Sequence, residues 1–229
     1  MFFEHQLIEK IEMAKIEPFE DFSEIYDEWF EKNTDKYTAE LHALEYFIPA
    51  NTNGLEIGVG SGKFAAPLGV ETGVEPSPKM ADKARKLGIH VLSGVAEDLP
   101  IQNSTFDFVL MVTTICFVDD LKKSFQEAFR VLKKDGFILI GFIDKESELG
   151  KAYRANQDKS HFYKVAEFFS TKEVLNCLSE VGFGSFETKQ TIFPGGDTQR
   201  IEVGFGTGSF VVIKGLKINK AGDLHPFIP

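Results

Sequence analysis

Residues 54–62 of the chain are Gly54-Leu55-Glu56-Ile57-Gly58-Val59-Gly60-Ser61-Gly62. This stretch begins as a short apolar strand, ends in alternating glycines, and leads into a helix that we predict from about Lys63. Glycines at the end of a strand let the backbone approach a ligand closely and leave N–H groups free to bind it. The stretch therefore predicts a ligand site between this strand and the helix after it.

The spacing of the glycines separates this loop from two common nucleotide-binding loops. A dinucleotide fingerprint, Gly-x-Gly-x-x-Gly, that started at Gly58 would need its third glycine at position 63, where Lys63 stands. A phosphate-binding loop would need Gly-Lys-Ser or Gly-Lys-Thr, and the sequence contains neither. An NAD(P)-dependent oxidoreductase is therefore a less favoured alternative.

A second acidic residue, Glu75, ends the next predicted strand, residues 72–75. It follows Gly58 at close to the offset of about 20 residues that is typical of a ribose-binding acid. A carboxylate there can accept hydrogen bonds from both ribose hydroxyls. By itself Glu75 would more often be a solvated acid at a strand end, but together with the glycine loop it indicates a nucleoside site.

The chain around these motifs alternates short apolar strands with amphipathic helices. The predicted strands are residues 54–57, 72–75, 89–92, 106–112 and 136–142. This alternation is typical of a parallel sheet that helices cover on both faces. Two later strands, within 183–193 and 205–218, have no helix between them, so we predict a hairpin that brings one antiparallel strand into the sheet.

Apolar stripes at helical spacing fill the first fifty residues. The stripes are Leu7, Ile8, Ile11 and Ala14; Phe22, Ile25, Tyr26, Trp29 and Phe30; and Tyr37, Leu41, Leu44 and Ile48. They predict an N-terminal helical segment over residues 1–50 and an α/β domain over residues 51–229. We expect the two to form a single structural domain.

Composition restricts the partners and the compartment. Asp and Glu number 35 against 25 Lys and Arg, and since phosphate binding needs a basic face, we expect no nucleic acid partner. No apolar run approaches the roughly 20 residues that span a bilayer, and Met1 to His5 do not begin a signal peptide. We therefore expect a cytoplasmic protein with no membrane partner. Cys116 and Cys177 lie far apart and no Cys/His cluster has ligand spacing, so we expect reduced thiols and no metal site.

Four motifs in order resemble the class I S-adenosylmethionine-dependent methyltransferases, in particular the small-molecule branch with the ubiquinone/menaquinone-type enzymes. The matching stretches are residues 55–62, 73–77, 96–109 and 129–136. The resemblance implies a Rossmann-like, seven-stranded, mostly parallel sheet with one antiparallel strand near the C-terminus, helices on both faces and an N-terminal helical lid. It also implies S-adenosyl-L-methionine as the cofactor and S-adenosyl-L-homocysteine as its product.

The same resemblance implies roles for the matching residues. Those implied to bind the cofactor are Glu56, Gly58, Val59, Gly60, Gly62, Glu75, Pro76, Ser77, Ala96, Glu97, Met111, Val112 and Thr113. Glu56 would lie near the ammonium group of the methionine portion, and Glu75 would hold the ribose hydroxyls. Residues 76–77 would flank the adenine, residues 96–97 would contact it, and residues 111–113 would line the floor beneath the sulfonium.

Candidates on the acceptor side are fewer, and no catalytic residue is identified. His161 follows the fifth strand, where relatives place substrate-binding segments; it is a hypothetical general base, and a surface or packing role is the favoured alternative. Tyr26 and Trp29 lie on the N-terminal helix that covers the cofactor in relatives. Their rings could contact the sulfonium by cation–π attraction, and core packing is the alternative.

The function that these motifs predict is methyl transfer by in-line displacement to a small-molecule acceptor. A non-catalytic S-adenosylmethionine-binding or regulatory protein is an alternative, because a lost acceptor site would leave the glycine loop intact. The Asn/Asp-Pro-Pro-Tyr/Phe motif, with which relatives methylate exocyclic amines of DNA bases or glutamine, does not follow the fourth strand. We expect a monomer or a homodimer.

Overall fold

The computed structural model describes residues 14–218. Before the first strand it contains the helices α1 (Glu17–Asp21), α2 (Ser23–Lys32) and α3 (Thr34–Glu45). The predicted stripes that begin at Phe22 and Tyr37 fall mainly on α2 and α3. The stripe of Leu7, Ile8 and Ile11 lies outside the described residues.

A mixed sheet forms the centre of the described chain. Its strands are β1 (Gly54–Ile57), β2 (Thr72–Glu75), β3 (His90–Ser93), β4 (Phe106–Val112), β5 (Leu132–Ile143), β6 (Phe183–Thr191), β7 (Glu202–Val203) and β8 (Phe210–Lys217). Their order across the sheet is β3-β2-β1-β4-β5-β8-β6-β7. The strands β1 to β5 all pair in parallel, which confirms the predicted Rossmann-like arrangement.

Near the C-terminus, β8 runs against the direction of β1 to β5, whereas β6 runs with it. β8 pairs antiparallel with both β5 and β6, as the predicted hairpin requires. The predicted sheet has seven strands with one antiparallel strand, whereas the sheet within residues 14–218 has eight. The additional strand is β7, which lies at the edge and pairs antiparallel with Lys189 and Gln190 of β6. β7 has two residues and Val203 is 80% exposed, so it has no apolar pattern by which a sequence could reveal it.

Helices cover both faces of the sheet, as predicted. Those after β1 are α4 (Pro78–Lys86), α5 (Leu121–Val131), α6 (Glu148–Ala155) and α7 (Thr171–Val181). Phe125 of α5 and Leu178 of α7 pack in the core on one face. Leu44 of α3 and Ala84 of α4 pack in the core on the other face, which places the N-terminal helices on the α4 side.

The prediction of a helix from about Lys63 is wrong, because residues 60–69 form successive turns instead. Pro67 has no N–H to donate, and it disfavours a helical conformation in the residue before it. The N–H of Ala65 donates to the Glu56 carboxylate rather than to a helical carbonyl. The chain therefore leaves β1 through a wrapped loop.

The carboxyl ends of the parallel strands meet at one edge of the sheet. The segments after β1, β2, β3 and β4 begin at Gly58, Pro76, Gly94 and Thr113. In open α/β sheets this edge is where ligands bind. None of the helices within residues 14–218 combines the length and the apolar character needed to span a bilayer.

Candidate functional site

The glycine loop turns sharply at the end of β1. Gly58 and Gly60 have φ values of +68° and +54°, a region that glycine adopts without the steric cost of a side chain. The N–H of Gly58 donates to the carbonyl of Val74 at 2.8 Å. The N–H of Gly60 donates to Glu75 Oε2 at 2.8 Å, so the loop is fastened to β2 at two points.

Glu75 joins the glycine loop to the turn after β2. Its Oε1 accepts a hydrogen bond from the N–H of Ser77 at 2.9 Å. The residue is 7% exposed, and burial raises the pKa of Glu75 to about 7 against the lowering effect of the N–H donors of Ser77 and Gly60. A carboxylate has about four acceptor positions, so Glu75 can still accept hydrogen bonds from a ligand.

A cavity opens beside these two loops, and we call it the loop cavity. The predicted site residues that line it are Tyr26, Gly58, Gly60, Glu75, Pro76, Ala96, Glu97, Val112 and Thr113. These residues come from α2 and from the ends of β1 to β4. The structure therefore brings most of the predicted site together in one place.

The other predicted site residues do not line the loop cavity; they are Trp29, Glu56, Val59, Gly62, Ser77 and Met111. The Ser77 side chain caps α4 by accepting from the N–H of Met80 at 3.2 Å, and its hydroxyl donates to Glu20. Val59 and Met111 are buried in the two hydrophobic cores. The positions of Val59, Ser77 and Met111 favour support of the loops over direct contact with a ligand.

Glu97 connects the loop after β3 to the start of α5. Its Oε1 accepts from the N–H groups of Asp119 and Asp120 at 2.7 and 3.1 Å. Asp120 in turn caps α5 by accepting from the N–H of Lys123 at 2.9 Å. The loop that carries Ala96 to the cavity is therefore held by a chain of hydrogen bonds.

The N-terminal segment forms part of the loop cavity. Lys15, Phe19 and Tyr26 are among its lining residues. Lys15 Nζ donates to the carbonyl of Val118 at 3.2 Å and lies 3.6 Å from Asp119 Oδ1. These contacts fasten the segment to the opposite wall, next to the end of the loop that precedes α5.

A second cavity adjoins the first, and we call it the aromatic cavity. Its aromatic lining residues are Phe19, Tyr26, Trp29, Phe30, Phe64, Phe117, Tyr153, Phe162 and Tyr163. Tyr26 packs edge to face on Phe30 with centroids 5.2 Å apart, whereas Tyr153 stacks on Tyr163 with centroids 4.9 Å apart. Four residues line both cavities, namely Phe19, Tyr26, Thr113 and Phe117, and they form the boundary between the two.

Thr113 holds an unusual conformation at this boundary. Its φ is +52°, which a β-branched residue adopts only under strain, at a cost of roughly 1–3 kcal/mol. Its N–H donates to the carbonyl of Gly141 at 2.7 Å, so the hydrogen bond to β5 fixes the turn. Such strain is typical of a site where the backbone must meet a ligand.

Comparisons with known proteins assign the family. Residues 55–140 match a family model described as a methyltransferase domain. The chain is 46% identical over 203 residues to an uncharacterized protein of Methanocaldococcus jannaschii, which covers 87% of this chain and 98% of that one. A crystal structure from Thermotoga maritima is described as a SAM-dependent methyltransferase and possible histamine N-methyltransferase. It is 46% identical, has a TM-score of 0.85, and the match covers 89% of this chain and 100% of that one.

The chain belongs to the S-adenosylmethionine-dependent methyltransferase family. Phosphoethanolamine N-methyltransferase 2 of Haemonchus contortus, solved with S-adenosyl-L-methionine, shares the fold at 17% identity and a TM-score of 0.59, covering 80% of this chain and 53% of that one. The predicted class I family and its cofactor are thus confirmed, and the branch within the family stays a prediction.

A buried carboxylate in this methyltransferase fits the cofactor. Glu56 is 1% exposed, and its Oε2 has no hydrogen-bond partner within residues 14–218. Burial raises the pKa of Glu56 well above its ordinary value, and the nearby Glu75 adds to the increase. A buried polar atom without a partner is costly, and the ammonium group of the methionine portion would satisfy it.

Two further predicted residues, the candidate base His161 and the candidate cofactor contact Trp29, lie at the aromatic cavity. His161 is exposed at its rim, with its ring centroid 4.2 Å from that of Phe22. Trp29 lines the aromatic cavity and packs edge to face on Phe30 with centroids 5.1 Å apart. Cys116 has a buried thiol whose pKa burial raises to about 12, so it carries no thiolate at neutral pH.

Sequence reasoning missed one buried acid in the aromatic cavity. Glu40 lies on α3, is 4% exposed and lines this cavity. It follows Tyr37 by three residues and precedes Leu44 by four, so it falls on the predicted apolar stripe. An acid on the buried stripe of a helix was a signal that could have found it. Phe117 and Phe162 had no such signal, because they lie in loops without a period.

Proposed function

We propose that this chain transfers a methyl group from S-adenosylmethionine in the loop cavity to a small molecule in the aromatic cavity. The observation that supports the proposal is the boundary formed by Phe19, Tyr26, Thr113 and Phe117, which line both cavities. A donor and an acceptor in adjoining cavities would meet at this boundary. In-line displacement requires such a meeting of nucleophile, methyl carbon and sulfur.

The loop cavity offers groups for each part of the cofactor. Glu56 would accept from the ammonium group, and Gly58 and Gly60 would pass beside the methionine portion. Glu75 would accept from the ribose hydroxyls, and residues 96–97 would contact the adenine. The burial of the two acids and the N–H donors that already hold Glu75 support these roles. In the same proposal residues 1–50 act as a helical lid and residues 51–229 form the methyltransferase domain.

The bound cofactor supplies a methyl group that is already activated on a sulfonium. The remaining task of the chain is to orient the acceptor and exclude water, and orientation can supply on the order of 7–11 kcal/mol of the barrier reduction. Phe19 and Phe117 suit this task because aromatic side chains exclude water and their faces attract positive charge. Burial, followed by the charges of nearby acids, raises the pKa of Tyr26, so its hydroxyl stays protonated and can donate a hydrogen bond.

Calorimetry with S-adenosylmethionine, S-adenosylhomocysteine and NAD tests the cofactor half of the proposal. We expect the first two to bind and NAD not to bind. Glu75→Gln should weaken binding of both by about tenfold or more, because a hydrogen bond to a charged group is lost. Glu71→Gln is the matched control, since Glu71 is an exposed acid near the opposite end of β2, and it should leave binding unchanged. If both variants bind the cofactor equally well, Glu75 does not contribute to cofactor binding.

Transfer of a labelled methyl group tests the acceptor half. Histamine is the first acceptor to assay, because the Thermotoga maritima relative is described as a possible histamine N-methyltransferase. A metabolite extract provides the wider search. Cofactor binding with no transfer to any acceptor would favour a non-catalytic binding protein instead.

A further inference from the structure

Glu40 is a buried residue that lines the aromatic cavity. No hydrogen bond or ion pair joins its side chain to another residue in the range 14–218. Burial raises the pKa of Glu40 to about 8, and the charge of Lys36 offsets this increase only in part. The protein therefore keeps an ionisable group at this position at a cost to its own stability.

Aromatic rings line the same cavity as this carboxylate. The charge of Glu40 contributes to the raised pKa values of Tyr26, Tyr153 and Tyr163, in each case after burial, so these rings lie within its electrostatic reach. All three line the cavity. Ring faces attract cations and a carboxylate does so more strongly, and both features therefore select positive charge.

The basic side chains that line the cavity lie at its mouth. Lys159 is a lining residue and is exposed, and so is His161. An exposed lysine is strongly hydrated and attracts an anion weakly. The buried position, where a charge acts most strongly, is held by Glu40.

We infer that the aromatic cavity binds an amine, with the ammonium group of the acceptor paired to Glu40 and its apolar part against the rings. This inference rests on the proposed function and names the class of acceptor. An ammonium group beside Glu40 would stabilise the ionised form of this carboxyl group against the burial that raises its pKa. A carboxylate or phosphate acceptor would be repelled by that ionised form, and a neutral alcohol would supply no charge to pair with it.

The methyl transfer to such an acceptor balances as follows. The ammonium group gives one proton to Glu40, and the raised pKa of Glu40 makes it a better proton acceptor than an exposed glutamate. The neutral nitrogen then bonds to the methyl carbon while the bond from that carbon to sulfur breaks, and the electron pair stays on sulfur. The methylated nitrogen carries the positive charge, and Glu40 releases its proton to water.

Calorimetric binding of four matched probes tests this inference without turnover. The probes are 2-phenylethylamine, its trimethylated ammonium derivative, 2-phenylethanol and 3-phenylpropanoate, each titrated into the protein alone and into the protein saturated with S-adenosylhomocysteine. We expect both cations to bind more tightly than the alcohol, and the carboxylate to bind least. The trimethylated probe separates binding from methyl transfer, because its nitrogen can accept no further methyl group.

Variants of α3 assign the preference to Glu40. Glu40→Gln should weaken binding of both cations by about tenfold or more and leave 2-phenylethanol unchanged. Glu40→Asp keeps the charge and should keep a preference for the cations, which separates loss of charge from loss of the fold. Glu45→Gln removes an exposed acid from the end of the same helix and should change nothing.

The outcomes separate this inference from the proposed function. If the alcohol or the carboxylate binds best, if no cation binds, or if Glu40→Gln keeps the cation preference, the amine inference is wrong. Loss of 3-phenylpropanoate binding in Lys159→Gln would point to an anionic acceptor. Failure of S-adenosylhomocysteine to bind would overturn the proposed function, while the titrations of the protein alone would still decide the role of Glu40.

Discussion

Gly58 shows at the scale of one residue why the glycine loop has its composition. Its φ of +68° excludes most side chains without strain. A Cβ at this position would also overlap the side chain of Thr114, which follows the strained Thr113. The loop and the end of β4 are therefore in contact at a place where only a hydrogen atom fits.

Replacement of Gly58 separates these two causes. Gly69 has a φ of +69°, and no atom lies within 4 Å of the position that a Cβ would occupy there, so Gly69→Ala incurs only the backbone cost of about 1 kcal/mol. Gly58→Ala should lose a further 1–3 kcal/mol or so, because the new methyl group overpacks against Thr114. Urea denaturation of both variants measures the difference. Equal losses would mean that Thr114 moves away freely.

The candidate site was partly predictable at this scale. Glu75 and the glycines could be predicted because their chemistry depends on a local motif, a strand end followed by backbone N–H groups. Glu40 could not be assigned a role in this way, because its role depends on rings from α2, α6 and the turn near Tyr163 that meet only in the folded chain. Trp29 was assigned to the predicted cofactor lid, whereas the structure turns it to the aromatic cavity.

At the scale of elements, α7 illustrates how a helix start is secured. Ser170 and Glu173 form a capping box, in which the side chain of each accepts from the backbone N–H of the other. Glu173 also pairs with Lys145 of the segment after β5, at 2.6 Å. The ion pair and the N–H of Ser170 lower the pKa of Glu173 to about 2, so the carboxylate is stabilised in its charged form.

Glu173 should therefore contribute stability that depends on pH. Its pKa is lower in the folded protein than in the unfolded chain, so the contribution is present above about pH 4.5 and is lost as pH falls towards about 2. Because the side chain is half exposed, we expect Glu173→Gln to cost only about 1 kcal/mol near pH 7. Thermal unfolding near pH 7 and at about pH 3 should show the difference shrink.

Glu180 on the same helix provides the control for this experiment. It pairs with Lys122 at 2.7 Å, both side chains are largely exposed, and it caps no helix end. Glu180→Gln should change stability by less than about 0.5 kcal/mol at either pH. If the two variants behave alike, the capping box contributes nothing beyond an ordinary surface ion pair.

The elements themselves could be predicted in so far as their pattern was local. The apolar run 136–142 indicated a strand buried on both faces, and β5 includes it. The helix expected from about Lys63 failed because Pro67 and the bond from Ala65 to Glu56 outweigh the apolar pattern. The edge strand β7 pairs through two residues, so its existence depends on where β6 lies and not on its own sequence.

At the scale of the whole molecule, three buried acids line up along the side of the sheet that carries the N-terminal helices. Glu40, Glu56 and Glu75 each have a raised pKa in which burial is the largest cause. The N-terminal helices enclose these acids, since Tyr26 lies within the field of all three. The same burial that suits these acids to a cationic ligand therefore lowers the stability of the folded apoprotein.

The raised pKa values of these buried acids predict how the stability of the apoprotein depends on pH. A carboxyl group with a raised pKa keeps its proton longer in the folded than in the unfolded state, so stability falls as pH rises between the two values. For Glu40 the interval runs from about 4.5 to about 8, and for Glu75 from about 4.5 to about 7. Urea unfolding without cofactor should therefore show less stability near pH 8 than near pH 5, by an amount that Glu40→Gln reduces by on the order of 2–4 kcal/mol. Glu71→Gln removes an exposed acid and should show the same decrease in stability between these two pH values as the parent chain. If the decrease is also unchanged in Glu40→Gln, Glu40 is solvated in the apoprotein.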